Sequence, residues 1–376
     1  MSLRVTQITL REISLTLREP FEISSGLTTT RRILLLELKD GDGRTAWSEC
    51  VAGERPNFSA ETIDTAWLAI TEWIGPRALG GSVSDPPAMD ARLATNIRGH
   101  LMARAAVEMG CWGLWAEREQ QSLSRVIGGT RDSIATGISI GIQESPGALV
   151  SKCRSALDAG YRKIKIKIRP GADIEFIGAV RDALAPDVPL MADANSAYTL
   201  RLADHLADLD AYQLMMIEQP LGHDDLRRHA QLQDRITTPI CLDESITSVE
   251  RTEDMLALGS GWIVNIKAGR VGGLTQAKEI HDLCRHNGVQ VWCGGMLESG
   301  VGGAYNVALA SLPNFTIPVD VSQSARYWER DIVTPEWTMD SQGEVNVPTR
   351  RTGIGVQVDV DRVEDLTVRA VTLTAD

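Results

Sequence analysis

The chain has 376 residues, of which 43% are hydrophobic, and a formal net charge of −12. This length suits a barrel with an added domain, and the apolar fraction supports a sizeable core. The acidic balance and the absence of any Lys/Arg run argue against a nucleic-acid surface, and no apolar run approaches the roughly 18 residues of a membrane span.

No basic stretch followed by an apolar run opens the chain, so no signal peptide is visible and a cytoplasmic location is expected. The cysteines at 50, 111, 153, 241, 284 and 293 form no Cys-x-x-Cys pair. Several sit in apolar runs, where cysteine acts as a small buried hydrophobe, which fits a reducing compartment. The scattered histidines make structural zinc unexpected.

The first 60 residues read as antiparallel strands. Residues 32–38 are rich in Ile and Leu, Lys39-Asp40-Gly41-Asp42-Gly43 is a strong turn signal, and residues 45–49 return as the partner strand. Residues 59–74 and 100–117 carry Ala, Leu, Met and Trp at helical spacing. This first part is α+β.

From about Ile134 the texture changes to alternation. Strand candidates end near Gly141, Ile168, Asp193, Glu218, Asp243, Lys267, Cys293 and Asp320, separated mostly by helical stretches such as 174–183 and 274–286. Eight strands with intervening helices predict a barrel. After Tyr327 the chain returns to turns and short strands and is expected to fold back on the first domain.

Charged residues fall on this pattern at a regular beat. Steps of 26, 25, 25 and 24 residues lead from Lys167 through Asp193, Glu218 and Asp243 to Lys267. Each step is about one strand, one helix and two loops, so one charge falls at the same end of each strand, where a (β/α) barrel builds its site. Lys165 and Lys167 alternate with isoleucine and share a strand face. For an isolated Lys-x-Lys a solvent-facing edge strand is the ordinary explanation; inside a barrel two cations need carboxylates beside them.

Asp193, Glu218 and Asp243 are hard oxygen donors that together suit Mg²⁺, with Mn²⁺ almost as good a fit. Each alone could cap a helix, but three at near-equal spacing after apolar runs weaken that explanation. A lysine acting as base must fall from ~10.4 to roughly 7–8, about 3–4 kcal/mol. Lys165 beside Lys167, Arg270 near Lys267 and a metal would each push that way. The glycine-rich stretches 269–273 and 294–303 match neither Gly-x-Gly-x-x-Gly nor a P-loop. They are expected to let backbone approach a ligand, and turns alone stay open as the alternative.

Together, Lys165-Ile166-Lys167, Asp193-Ala194-Asn195, Glu218-Gln219-Pro220, Asp243-Glu244-Ser245 and Asn265-Ile266-Lys267 resemble the enolase superfamily, muconate-lactonizing subgroup. The runs at 292–300 and 324–331, with Pro20-Phe21 and Glu49-Cys50-Val51-Ala52, resemble the o-succinylbenzoate synthase / N-succinylamino acid racemase family more narrowly. The resemblance covers nearly the whole chain. It implies an α+β capping domain (1–126), a modified (β/α)₇β TIM-like barrel (127–326) and a C-terminal segment (327–376) returning to the capping domain.

It also implies one Mg²⁺ on Asp193, Glu218 and Asp243, Lys167 as base on one face of the substrate α-carbon, Lys267 opposite, and Lys165 tuning Lys167. Asn195, Glu244, Arg270, Gly295, Met296 and Ser139 would surround the metal or the substrate, a small carboxylate. Loops 21–26 and 53–58 would set acyl and side-chain preference. Ser48 departs from the glycine expected in the capping strand.

The family chemistry is loss of an α-proton, followed by dehydration or by reprotonation on the other face. Synthase with racemase activity is the expected function, and a dedicated racemase is the alternative. A dipeptide epimerase resembles Asp-x-Asp on the last strand, and this chain has Asp320-Val321-Ser322. Muconate cycloisomerase would not share 294–300 so closely, and an inactive scaffold should lack a lysine or a ligand. Nine tryptophans make a homo-oligomer plausible.

Overall fold

The computed structural model describes residues 2–24 and 26–375. Its first layer is a four-stranded antiparallel sheet in which Val5–Ile23 lies between Thr367–Thr374 and Gly26–Asp40, and Thr45–Cys50 forms the far edge. The long first strand alternates buried Ile8 and Leu10, then Ile13, Leu15 and Leu17. The phase slips between Glu12 and Ile13, where its pairing with the final strand shifts register. The turn at Asp40 forms as expected: the Asp40 carboxylate accepts from Asp42 N at 2.9 Å and Arg44 N at 2.8 Å.

Helix Leu101–Arg118 packs across this sheet. Gly110 lets it approach, since a Cβ there would stand 2.5 Å from Leu38 Cδ1. The expected helix at 59–74 begins at Ile63, after its Thr62 cap, and widens into a π-type turn at Ile70–Ile74. Helix Pro86–Ala94, capped by Asp85, was not anticipated. Ser48 is buried in this layer and donates to Ala106 O at 2.6 Å, so it belongs to the capping core.

Seven parallel strands follow in sequential order: Ile138–Ile140, Ile164–Lys167, Leu190–Asp193, Met216–Glu218, Ile240–Leu242, Ile263–Asn265 and Gln290–Trp292. The expected eighth strand is irregular. Residues 315–320 still close the barrel, through bridges from Phe315 to Val291 and from Val319 to Thr136. Asp320 N also donates to Cys293 O at 2.9 Å.

Period-two alternation stacks the barrel interior in layers. Met191, Met216, Cys241 and Ile263 form one apolar cluster with Trp292 and Ile317. Two residues further along their strands stand Asp193, Glu218, Asp243 and Asn265, all buried. Lys163 lies at the apolar level, its Nζ 3.6 Å from the centroid of the Trp292 ring.

The C-terminal segment divides. Its last strand joins the capping sheet, but Glu344–Asn346 pairs with Ser133–Ala135, and Val333–Thr334 pairs with Gln357–Val358. The fold-back expected of the tail is therefore carried on the capping sheet by Thr367–Thr374. All six cysteines are free and buried. No helix among the described residues is long and apolar enough to cross a membrane.

Candidate active site

A cavity of about 140 Å³ lies between the capping layer and the barrel. Phe21, Arg31, Arg55 and Phe58 line it from one side, and Lys167, Asn195, Lys267 and residues 295–297 from the other. Both loops expected to contact substrate, 21–26 and 53–58, contribute to its wall.

Lys167 and Asp193 are register partners, as are Asp193 and Glu218. Lys167 Nζ donates to Asp193 Oδ2 at 2.5 Å and to Asn195 Oδ1 at 2.7 Å. Lys267 Nζ donates to Asp243 Oδ2 at 2.7 Å and lies 4.5 Å from the Phe58 ring centroid. Arg270 grips the other oxygen of Asp243 and donates to Ile246 O at 2.7 Å and Asn265 O at 2.6 Å. The guanidinium therefore bonds the carboxylate that holds Lys267.

Lys165 stands 2.6 Å from Asp320 Oδ2, 3.3 Å from Glu218 Oε2 and 3.4 Å from Asp193 Oδ2. Asn265 Nδ2 donates to Glu218 Oε1 at 2.6 Å, and its Oδ1 accepts from Gly294 N at 2.8 Å. Asn195 Nδ2 donates to Glu244 Oε1 at 3.1 Å; Glu244 Oε2 has no partner among the described residues. Ser139 sits opposite Lys165 on the first barrel strand, its hydroxyl also unpartnered. Of the expected residues, Lys167, Lys267, Asn195, Gly295 and Met296 border the cavity; Lys165, Ser139, Asp193, Glu218, Asp243, Glu244 and Arg270 do not.

Backbone strain concentrates at these strand ends. Asn195, Ser196, Gln219 and Leu297 have φ of +42°, +64°, +40° and +58°, in a region that side-chain-bearing residues rarely adopt. The glycine-rich run at 294–303 is loop and helix in turn, with helix Gly300–Ala310 starting inside it. A Cβ on Gly294 would stand 2.5 Å from Asn265 Nδ2 and 2.8 Å from Lys267 Cε, so the glycine permits close packing on the site.

Five cations (Lys163, Lys165, Lys167, Lys267, Arg270) and five carboxylates (Asp193, Glu218, Asp243, Glu244, Asp320) are buried here. Burial pushes the Glu218 acid up to about 8, and the neighbouring Asp193 charge adds to it. Burial and the Asp243 charge push Glu244 to about 7. Burial also acts to raise Asp193 and Asp243, but Lys167 and Lys165 hold the first below its ordinary value, and Lys267 and Arg270 the second.

Burial pulls Lys165 and Lys267 down, but their carboxylates outweigh it and hold both above the usual range. Lys163 comes down, because burial there exceeds the pull of Asp320.

As the side chains lie, no three Asp, Glu, His or Cys groups among the described residues converge closely enough to share an ion. Lysine and arginine hold the oxygens of Asp193 and Asp243 instead. The donor set nonetheless fits a hard divalent cation: three carboxylates on consecutive strands, with Glu218 unable to ionise easily between Asp193 and Asp243.

Several participants lay outside the expectations. Asn265 carried a readable signal, since it lies two residues before Lys267 and so on the same strand face. Asp320 stands at the end of the eighth segment, where the beat would place it. Arg31 carried none, because its burial depends on packing between distant segments.

Family models match this architecture in two parts. Residues 5–128 match the mandelate racemase / muconate lactonizing enzyme N-terminal domain, and residues 148–363 the enolase C-terminal domain-like model. The chain belongs to the enolase superfamily. An o-succinylbenzoate synthase of Geobacillus kaustophilus is 47% identical over 98% of this chain and 97% of its own. An N-succinylamino acid racemase of Amycolatopsis sp is 41% identical over 98% of this chain and 99% of its own. A solved enolase-superfamily structure from Listeria innocua superposes with a TM-score of 0.95 at 39% identity, covering 100% of both chains.

Proposed function

We propose that the protein is an o-succinylbenzoate synthase that also racemises N-succinylamino acids, and that both reactions begin with removal of a proton α to a carboxylate. The observation that carries this reading is the placement of Lys167 and Lys267 in one cavity. They come from the second and sixth of eight barrel positions, so they reach it from opposite sides. A lysine on each face of an α-carbon suits abstraction from one side and proton return or anion stabilisation from the other.

Asp193, Glu218 and Asp243 would hold one Mg²⁺, or Mn²⁺ in its place. The ion would supply positive charge against the negative charge that develops as the α-proton leaves. Positive groups at the cavity support the substrate class: Lys167, Lys267, Arg31 and Arg55 border it and suit an anionic substrate such as a succinylated carboxylate.

Lys167 Nζ takes the proton, and Lys165, held by Asp320, adds positive charge behind it. In dehydration Lys167 would also return its proton to the departing hydroxyl, releasing water, while Lys267 stabilises the anion. In racemisation Lys267 protonates the opposite face. Asn195 orients Lys167 through its Oδ1. Arg270 draws on Asp243 and so weakens that carboxylate's hold on Lys267, which supports racemase competence. Asp320 is committed to Lys163 and Lys165, which counts against its binding a substrate ammonium as a dipeptide epimerase would require.

Incubation with N-succinyl-L-phenylalanine and Mg²⁺ in D₂O, followed by mass spectrometry and chiral analysis, tests the racemase half. Turnover of the succinyl-hydroxy-cyclohexadiene-carboxylate precursor tests the synthase half. Absence of both α-deuteration and dehydration would overturn the reading.

A further inference from the structure

Two stretches of cavity wall, one from each domain, meet at a single buried carboxylate. Glu49, near the end of the Thr45–Cys50 strand, accepts from Ser299 N at 3.1 Å, Ser299 Oγ at 2.5 Å and Gly302 N at 3.1 Å. Val51 and Gly53, two and four residues further on, border the cavity. So do Gly295, Met296 and Leu297, which end two residues before Ser299. Glu49 therefore ties the root of one wall to the root of the other.

The joint is built for close approach. Gly302 admits two glutamate side chains at once: a Cβ there would stand 2.8 Å from Glu298 Cβ and 2.9 Å from Glu49 Oε2. Glu298 in turn accepts from Met296 N at 2.8 Å and from Asn306 Nδ2 at 2.9 Å, which fixes the left-handed turn at Leu297 between them. On the capping side Arg31 donates to Ala52 O at 3.1 Å and Val51 O at 3.3 Å. Val51 seats against Gly269, where a Cβ would stand 2.3 Å from its Cγ2.

We infer that Glu49 is a positioning residue that sets the spacing of the two cavity walls and thereby the side-chain preference of the enzyme. Glu49 does not border the cavity, so its effect on substrate passes through residues 51–58 and 295–297. This rests on the proposed reaction for its substrates, though the joint itself does not. A hydrogen-bonded anchor of this kind holds loop geometry that unanchored segments lose, and a shift near 1 Å is enough to alter discrimination.

The test compares Glu49→Leu and Ser299→Ala with the parent protein. Glu49→Leu keeps the approximate volume but removes the oxygen that accepts from Ser299 N, Ser299 Oγ and Gly302 N; Ser299→Ala removes one hydroxyl. For α-proton exchange, the ratio of kcat/KM between N-succinyl-phenylalanine and N-succinyl-alanine should move about tenfold toward unity, mainly through KM, with kcat on the alanine substrate within about twofold. An unchanged ratio, or a parallel fall in kcat on both substrates, overturns the inference.

Amide hydrogen exchange gives an activity-independent arm. Glu49→Leu should raise exchange in both 50–59 and 294–302. A rise confined to the first turn of Gly300–Ala310 would reduce Glu49 to a local helix cap and overturn it. A parent protein inactive on both substrates fails the proposed function, and the exchange arm then decides the joint alone.

Discussion

Lys167 and Asp193 are register partners on adjacent parallel strands, and the lysine Nζ donates to the aspartate at 2.5 Å. Lys267 and Asp243 repeat the relationship across the barrel at 2.7 Å. Each candidate base is thus tethered to a different candidate metal ligand. A cation held by those carboxylates would compete with both lysines for the same oxygens.

Metal binding should therefore be visible without turnover. Mg²⁺ at 100 times its dissociation constant should stabilise the fold by about 2.7 kcal/mol, read as a rise in Tm, and EDTA should reverse it. Glu218→Gln should abolish most of the rise, since the amide cannot supply anionic oxygen. An equal Mg²⁺ response in that variant would show that the ion binds elsewhere.

The two lysines should separate by reaction. Lys167→Ala should lower dehydration, and α-proton exchange of one N-succinylamino acid enantiomer, by about 10²–10⁴-fold, the usual contribution of a positioned acid or base. Lys267→Ala should abolish racemisation while that same enantiomer still exchanges its α-proton for deuterium. Racemisation surviving in Lys267→Ala would remove that lysine from the opposite face.

Much of this geometry was legible because strand periodicity is strict. Lys165, Lys167 and the 25-residue beat place charges at one end of consecutive strands, and Asn265 follows from the same rule. The closing segment 315–320 was overestimated as a regular strand, because its bridges on both sides leave no continuous ladder. The strand Val5–Ile23 alternates clearly in its buried residues, but the slip at Glu12 breaks its phase and obscures it. The upward shift of Lys267 was not readable, since it depends on which carboxylates reach it. Glu49, Glu108 and Arg31 are buried charges whose partners lie on distant segments, and no local pattern announces them.

Arg270 supports the site structurally as well as electrically. Arg270→Met would remove the guanidinium donor from Asp243 Oδ1, Ile246 O and Asn265 O in a buried setting. Breaking a buried pair by removing one partner costs about 3–5 kcal/mol, so denaturant titration should show a loss of that order. Lys267, freed of the guanidinium charge and left facing Asp243 alone, should be held higher still. Racemisation should then fall more than dehydration, and equal losses in both would leave Arg270 a purely structural group.

Glu108 supplies a pH dependence of stability. From helix Leu101–Arg118 it accepts from Leu274 N at 2.8 Å, Thr275 N at 2.9 Å and Trp112 Nε1 at 2.8 Å, capping the barrel helix Leu274–His286. Burial, which the Thr275 hydroxyl only partly offsets, pushes its acid up from 4.5 to about 7. A carboxyl whose folded value lies above its unfolded one favours the folded state in its protonated form. Its contribution is complete below about 4.5, declines as pH rises toward about 7, and is constant above that. The full swing is on the order of 3 kcal/mol at most. Glu108→Gln should flatten the fall in stability between those values in a pH series of denaturant titrations. Unchanged slopes in parent and variant would mean that Glu108 is ionised throughout and that its backbone donors outweigh burial.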